Sequence, residues 1–435
     1  MKELSEKARS LTYRLLRRSE KYIKTDMVYL AKGGFWITLG QIVSTLSVFF
    51  LAIAFANLVP PETYGTYKYL LSIAGIFAIF TLPGMSTAIA RAVARGDTAT
   101  IHAATRARVL WSLLGTLVAF VGSAYYFLNG NIELTIALAI IGITLPVFDT
   151  FTLYGAYLTG THNFRLQTIF HLISQGISVT SLITTLFLTD NVLLILLAYF
   201  LPLSLIRFVL HAYTSRFFTS DVADKETLSY GKHLSLISVL GTIAGNIDKI
   251  ILWKFLGPAQ VAIYAFALAI PEQIKGPLKG FADLAFPKFA KQTPEQIHKN
   301  VPAIRHKLTL YALLLFLMSV LYILTAPYIF KILFPQYIES VFYSQVFSIS
   351  LITGITTILS QLLAAQKKVK AQYIFNTLQP LTTITLYLIL IPIFGVLGAI
   401  LAFVAGRFIS LGILMMIVKT VFSSPLQNDT TQSLS

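Results

Sequence analysis

Leu134-Thr-Ile-Ala-Leu-Ala-Ile-Ile-Gly-Ile-Thr-Leu-Pro-Val-Phe148 carries no charge and no alternation of apolar with polar residues. A strand with one wet face alternates with period two, whereas a run that is apolar on every side belongs to a helix in hydrocarbon. Leu308–Leu324 reads the same way, and such runs recur with short breaks from Gly33 to Val421. About 20 apolar residues, rising 1.5 Å each, cross a hydrocarbon core of roughly 30 Å. The 435 residues are 56% hydrophobic and 12% charged, with a mean hydropathy of +0.73. The fold class is therefore all-α, a polytopic membrane protein, and a membrane β-barrel is excluded. There is no cysteine, which excludes disulfides, thiolate metal sites and thiol chemistry.

Twelve spans are predicted, at 34–58, 66–86, 109–128, 132–159, 167–188, 192–213, 233–256, 261–286, 308–333, 341–365, 372–392 and 395–421. The 34 Lys and Arg against 18 Asp and Glu would suggest nucleic acid in a soluble chain, but their placement argues otherwise. Alternate loops together with the N-terminal tail hold 26 of the basic residues, while the other side holds Lys68, Lys254 and Lys331. That asymmetry puts both termini in the cytoplasm. Residues 1–31 read as a cytoplasmic basic segment lying on anionic headgroups, and 423–435 as a disordered cytoplasmic tail. A repeat at a displacement of 197 maps Gly34 onto Gly231 and Pro61-Glu-Thr-Tyr-Gly-Thr-Tyr67 onto Pro258-Ala-Gln-Val-Ala-Ile-Tyr264. Two six-helix lobes, 32–215 and 232–422, joined by a cytoplasmic linker at 216–231, are expected about a pseudo-twofold along the membrane normal.

Charge inside the bilayer marks the places where chemistry sits, since each such residue costs about 2.5 to 3.5 kcal/mol at a helix centre. Five basic residues fall within the spans: Arg207, Lys249, Lys275, Lys279 and Arg407. In the eighth span Glu272, Lys275, Lys279 and Asp283 share one helical face, and Pro271, Gly276, Pro277 and Gly280 are expected to break that helix beside a cavity. Headgroup attraction by the two lysines stands against simple neutralisation along the helix. Asp248 and Lys249 are adjacent and so point about 100° apart; Asp248 is expected to face the cavity or a cation beside Asn246, with Lys249 paired elsewhere. Arg207 either meets the cavity or snorkels beside His211. Arg407 is a cavity candidate, and Asp149 a candidate for Na⁺ or H⁺ coupling or a buried structural acid. No phosphate loop, metal-ligand spacing or nucleophile–base pair occurs, so no catalytic residue, metal or cofactor is assigned.

Asn246-Ile-Asp-Lys-Ile-Ile-Leu-Trp-Lys-Phe-Leu-Gly-Pro-Ala-Gln-Val-Ala-Ile-Tyr-Ala-Phe-Ala267, with its counterpart Leu58-Val-Pro-Pro-Glu-Thr-Tyr-Gly-Thr-Tyr67, resembles the polysaccharide transporter family. These are the Wzx-type O-antigen flippases of the multidrug/oligosaccharidyl-lipid/polysaccharide superfamily, and the resemblance covers nearly the whole chain. It implies a V-shaped, MATE-like pair of lobes that moves an undecaprenyl-pyrophosphate-linked oligosaccharide between leaflets by alternating access. It further implies cationic cavity residues for the pyrophosphate, here Lys275, Lys279 and Arg407. Expected partners are the lipid-linked oligosaccharide, membrane lipids and other polysaccharide-assembly membrane proteins, with the chain itself a monomer. A cation-coupled extruder of drugs or other small molecules is the alternative that Asp149, Asp248, Glu272 and Asp283 keep open. A membrane-embedded glycosyltransferase or polymerase would need a sizeable outer loop, which the sequence lacks.

Overall fold

Short polar turns between apolar runs set the helix boundaries. The computed structural model describes residues 27–218, 224–283, 289, 292–366 and 368–423, so the basic segment up to residue 26 and the tail from 424 lie outside the described residues. Everything regular among the described residues is helical. The first half holds α1 (Met27–Leu58), α2 (Pro61–Phe77), α3 (Met85–Ala94), α4 (Thr100–Leu128), α5 (Ile132–Phe148), α6 (Leu153–Gly160), α7 (Phe164–Leu188) and α8 (Val192–Ser215). The second holds α9 (Lys225–Ala244), α10 (Ile247–Leu256), α11 (Pro258–Asp283), α12 (Pro294–Leu333), α13 (Ser340–Ser348), α14 (Ile355–Ala365) and α15 (Val369–Ser423). Helix α9 begins inside the segment expected to be a linker.

Among the described residues nine helices are long and apolar enough to cross a membrane, and the bent pair α2 and α3, which turns by 48°, makes a tenth. Two more follow from local geometry. Gly395, at φ 59° and ψ −131°, breaks α15 into arms 369–394 and 396–423. A Cβ on Gly398 would overlap the Leu390 carbonyl, and Gly406 lies against Thr383, so the arms run antiparallel as two crossings. Helix α11 is 26 residues long, about 39 Å, and is charged only in its second half. Its described backbone runs unbroken through Pro271 and Pro277, which corrects the expected break: a proline removes one amide bond without ending a helix that neighbours support.

Side-chain caps start several crossings. Asn131 accepts from the Leu134 amide at 3.0 Å, Asn163 from Leu166 at 3.2 Å and Asn191 from Leu193 at 2.9 Å. Asp224 accepts from Glu226 and Thr227 at the start of α9, and these bonds hold its carboxyl below the usual aspartate range, the Thr227 hydroxyl first among them. Pro61 and Pro258 each occupy the first turn of their helix, 197 residues apart, as the repeat predicts.

With twelve crossings the two ends of the chain share one side, here called the terminal side. On the opposite side the halves meet closely: a Cβ on Gly65 would overlap the Pro258 carbonyl. Phe55, Tyr64, Tyr67, Phe266, Phe334 and Tyr337 fill that end as a buried aromatic plug, with Tyr64 4.6 Å from Phe266 and Phe266 3.9 Å from Tyr337, centroid to centroid. On the terminal side the amide of Gly84 donates to Ser235 Oγ at 3.0 Å, and Gly231 lies against Met85.

Candidate functional site

Between the plug and the terminal side lies a cavity of about 900 Å3, walled by α1, α2, α7 and α8 from one half and by α9–α11, α14 and both arms of α15 from the other. Its charged lining is Lys68, Arg207, Asp248, Lys249, Glu272 and Arg407. Uncharged polar groups complete it, notably Ser174, Gln175 and Ser178 on α7 and Gln379 and Thr383 on the first arm of α15. Ser174 Oγ is buried without a hydrogen-bond partner among the described residues, so the wall retains an unused polar group.

Lys68 departs furthest from the sequence reading, which counts it among the loops opposite the termini. Because α2 opens at Pro61 and not at 66, Lys68 falls about 10 Å along the helix, two turns in, and faces the cavity. Its ammonium rests 5.2 Å from the Tyr64 ring centroid. Arg108, also counted with the loops, is 3% exposed within α4. It donates to the carbonyls of Thr81 at 2.6 Å and Thr150 at 3.5 Å, backbone exposed by the breaks after α2 and α5, and to Thr152 Oγ1 at 3.2 Å. Both residues sit on helices longer than hydropathy alone implies.

Asp248 and Lys249 correct a second expectation. Although adjacent, they pair with one another, Lys249 Nζ lying 3.1 Å from both carboxylate oxygens, and both line the cavity. The long lysine stem curls back across the first turn of α10, which a direction argument at Cβ does not capture. Tyr264 adds a hydroxyl to Asp248 at 2.8 Å. Asn246 donates to the Thr242 carbonyl at 2.9 Å and leaves the carboxylate alone.

Arg207 faces the cavity and does not snorkel. It donates to the Phe148 carbonyl at 2.6 Å, lies 3.4 Å from Asp149 and covers the Phe148 ring at 4.2 Å. His211 instead packs on Phe151 and Phe218. Asp149 lines a smaller pocket of about 130 Å3 beside the main cavity. Arg407 stacks over Phe403 at 5.1 Å and makes no ion pair among the described residues. Of the four charges on the predicted face of α11, Glu272 lines the cavity; the side chains of Lys275, Lys279 and Asp283 lie outside the described residues. Among the described residues no cluster of acids and histidines has a metal-holding arrangement.

The lining repeats between halves. At 197, Leu51 and Ala52 correspond to Asp248 and Lys249, and Lys68 to Ala265; at 204, Gln175 corresponds to Gln379, Tyr199 to Phe403 and Leu203 to Arg407. All of these positions face the cavity.

The architecture has solved relatives. An inward-closed structure of the lipid II flippase MurJ is similar over 88% of this chain and 87% of that one, at 16% identity and a TM-score of 0.64. An inward-facing multidrug-resistance MATE transporter of the MOP superfamily matches over 88% and 98%, at 14% identity and a TM-score of 0.64. A MOP superfamily transporter from Pyrococcus furiosus, described as having reversed binding-pocket polarity, matches over 91% and 94%, at 15% identity and 0.55. These likenesses establish the fold as that of MurJ and MATE transporters, and no curated protein matches at the level of sequence. A sequence model described as polysaccharide biosynthesis protein matches residues 30–293, more than half the chain, and the protein belongs to that family.

Proposed function

We propose that this protein is a flippase that carries an undecaprenyl-pyrophosphate-linked oligosaccharide across the bacterial inner membrane by alternating access, for cell-surface polysaccharide assembly. The observation that carries the reading is the cavity itself: four cations, Lys68, Arg207, Lys249 and Arg407, against two acids, Asp248 and Glu272, in a space of about 900 Å3. That charge suits an anionic headgroup, and the hydroxyls and amides of Ser174, Gln175, Gln379 and Thr383 suit a sugar. The two halves, 32–215 and 232–422, act as the moving lobes about the joint between α8 and α9. With Lys68 and Arg108 removed from the loop counts, 25 basic residues remain on the terminal side against two opposite, so the terminal side is cytoplasmic. The cavity then lies on the cytoplasmic side of the plug, which closes the outer end. No catalytic step belongs to this reading. Lys275 and Lys279 remain headgroup candidates beside Arg407, and Asp248, Lys249, Asp283 and Asp149 remain candidates for coupling to Na⁺ or H⁺. The chain acts as a monomer among other polysaccharide-assembly membrane proteins.

Cation-coupled extrusion of drugs is the second reading, favoured by the fold shared with MATE transporters and by the buried carboxylate of Asp248. The deciding experiment places purified protein in vesicles with a fluorescent polyprenyl-diphosphate oligosaccharide and measures its appearance in the outer leaflet. Transfer above protein-free vesicles supports the flippase. Drug-stimulated cation flux without lipid transfer refutes it.

A further inference from the structure

Lys68 separates from the other cavity cations by what its ammonium touches. Lys249 is neutralised by Asp248 at 3.1 Å and Arg207 is held by Asp149 at 3.4 Å. Arg407 rests on Phe403, a residue of its own helix on the wall of the second half. Lys68 makes neither ion pair nor hydrogen bond among the described residues, and its ammonium lies over Tyr64, which belongs to the plug.

Tyr64 is one of the residues through which the first half grips the second, beside Phe49 against Phe334, Asn57 donating to the Leu333 carbonyl and Tyr69 stacked on Trp253. The Tyr64 ring lies 5.0 Å from Phe55 on its own side and 4.6 Å from Phe266 across the boundary. Phe266 in turn contacts Tyr337 and Phe334. The next residue, Gly65, presses on Pro258 so closely that a methyl group would not fit. Any separation of α2 from α11 must therefore break the contacts at Tyr64 and Gly65, one turn from Lys68.

We infer that Lys68 is a positioning residue that couples cargo to the plug: the phosphoryl oxygens of an arriving headgroup draw its ammonium off the Tyr64 ring, and the plug loosens only when cargo is present. The inference rests on the anionic-headgroup reading above. A charge-assisted hydrogen bond to phosphate outcompetes a cation resting on an aromatic face. The four-carbon stem of lysine permits the swing without backbone movement. Lysine at this depth is a cost that the Tyr64 face offsets only in part. Linking release of the plug to occupancy prevents the empty cavity from opening at both ends.

A chain without cysteine allows a direct test. Ala262, fully buried in the plug cluster on α11, is replaced by cysteine, and the protein in nanodiscs is exposed to a membrane-impermeant maleimide with or without farnesyl diphosphate. Binding of the probe is followed by calorimetry. The expected result is roughly tenfold faster labelling with the probe in Ala262→Cys and no acceleration once Lys68→Met is added, each variant being compared at the probe concentration that calorimetry shows to saturate it, with partial rescue by Lys68→Arg. Tyr64→Leu, which removes the ring and leaves the lysine, should label quickly without the probe. Equal acceleration with and without Lys68 overturns the coupling role, as does probe binding that never accelerates labelling. Failure of farnesyl diphosphate to bind at all overturns the headgroup reading and this inference with it.

Discussion

The two halves of the cavity wall share geometry and differ in chemistry. At corresponding positions the second half carries Asp248, Lys249 and Arg407, where the first carries Leu51, Ala52 and Leu203; Lys68, matched by Ala265, and Arg207, matched by Leu411, reverse the bias. Glutamine stands in both halves, as Gln175 and Gln379. Repetition of the scaffold therefore fixes where side chains can reach the cavity, while substitution within the repeat decides what they do. The second half concentrates an ion-paired, hydrogen-bonded cluster around Asp248, and the first contributes a cation held by its own acid at Arg207 and one resting on the plug at Lys68.

Removing the acid from that cluster should have the largest effect. Asp248→Ala leaves Lys249 without its counter-ion, and breaking such a pair costs about 3 kcal/mol or more, read as a fall in the melting temperature of the purified protein. Asp248→Ala with Lys249→Met should recover most of it, and Leu51→Ala at the corresponding position should cost about 2 kcal/mol for lost packing. Equal losses at the two positions would dissolve the contrast between halves. Next come the arginines. Arg407→Gln should weaken diphosphate binding by about 2 to 3 kcal/mol, some 30- to 150-fold, as loss of a desolvated charge contact does. Arg207→Gln should cost about tenfold or less, since Asp149 already occupies that guanidinium; the reverse order in calorimetry would assign the headgroup to the first half. Gln175→Ala and Gln379→Ala should each lower affinity for the oligosaccharide lipid by about 1 kcal/mol, and unequal losses would show that the symmetric pair is used asymmetrically. The smallest effect belongs to Asp224, which caps α9 between the halves. Its depressed pKa means that its contribution to stability is present above about pH 4 and fades as pH falls through the lower folded value. Asp224→Asn should flatten the acid limb of the pH–stability curve.

Much of this was legible in the residues. Apolar runs specify the helical class because hydrocarbon demands it, the alternation of basic loops supports the number of crossings, and matched residues such as Pro61 and Pro258 carry the repeat. Lys68 was not legible: Pro61-Glu-Thr-Tyr-Gly-Thr-Tyr-Lys68 is polar enough to read as a loop, and only a helix starting at Pro61 carries its lysine inside. Arg108 escaped for a similar reason, since a span drawn from 109 excludes a residue that α4 buries. Asp248 and Lys249 were found as a pair of interest, but their mutual contact depends on side-chain reach, which residue spacing underestimates. The correspondence at 204 needs the two late hairpins to be aligned by their turns at Asn191 and Gly395, and hydropathy does not place those turns to the residue.

The break at Gly395 also bears on how the chain is made. Val369–Thr420 has the highest hydropathy of the candidate membrane spans among the described residues, 2.8 over its best window, and its arms lie antiparallel with Gly398 closed on Leu390. Arg407 sits in the second arm, where a lone helix would carry its full penalty of about 2.5 to 3.5 kcal/mol. Entry into the bilayer as a ready-folded pair spreads that penalty over two strongly apolar arms and lets Phe403 shield the guanidinium before the remaining crossings gather around it. Arg407 thus travels with its own escort, and the turn at Gly395 bears on entry into the bilayer as well as on the finished bundle.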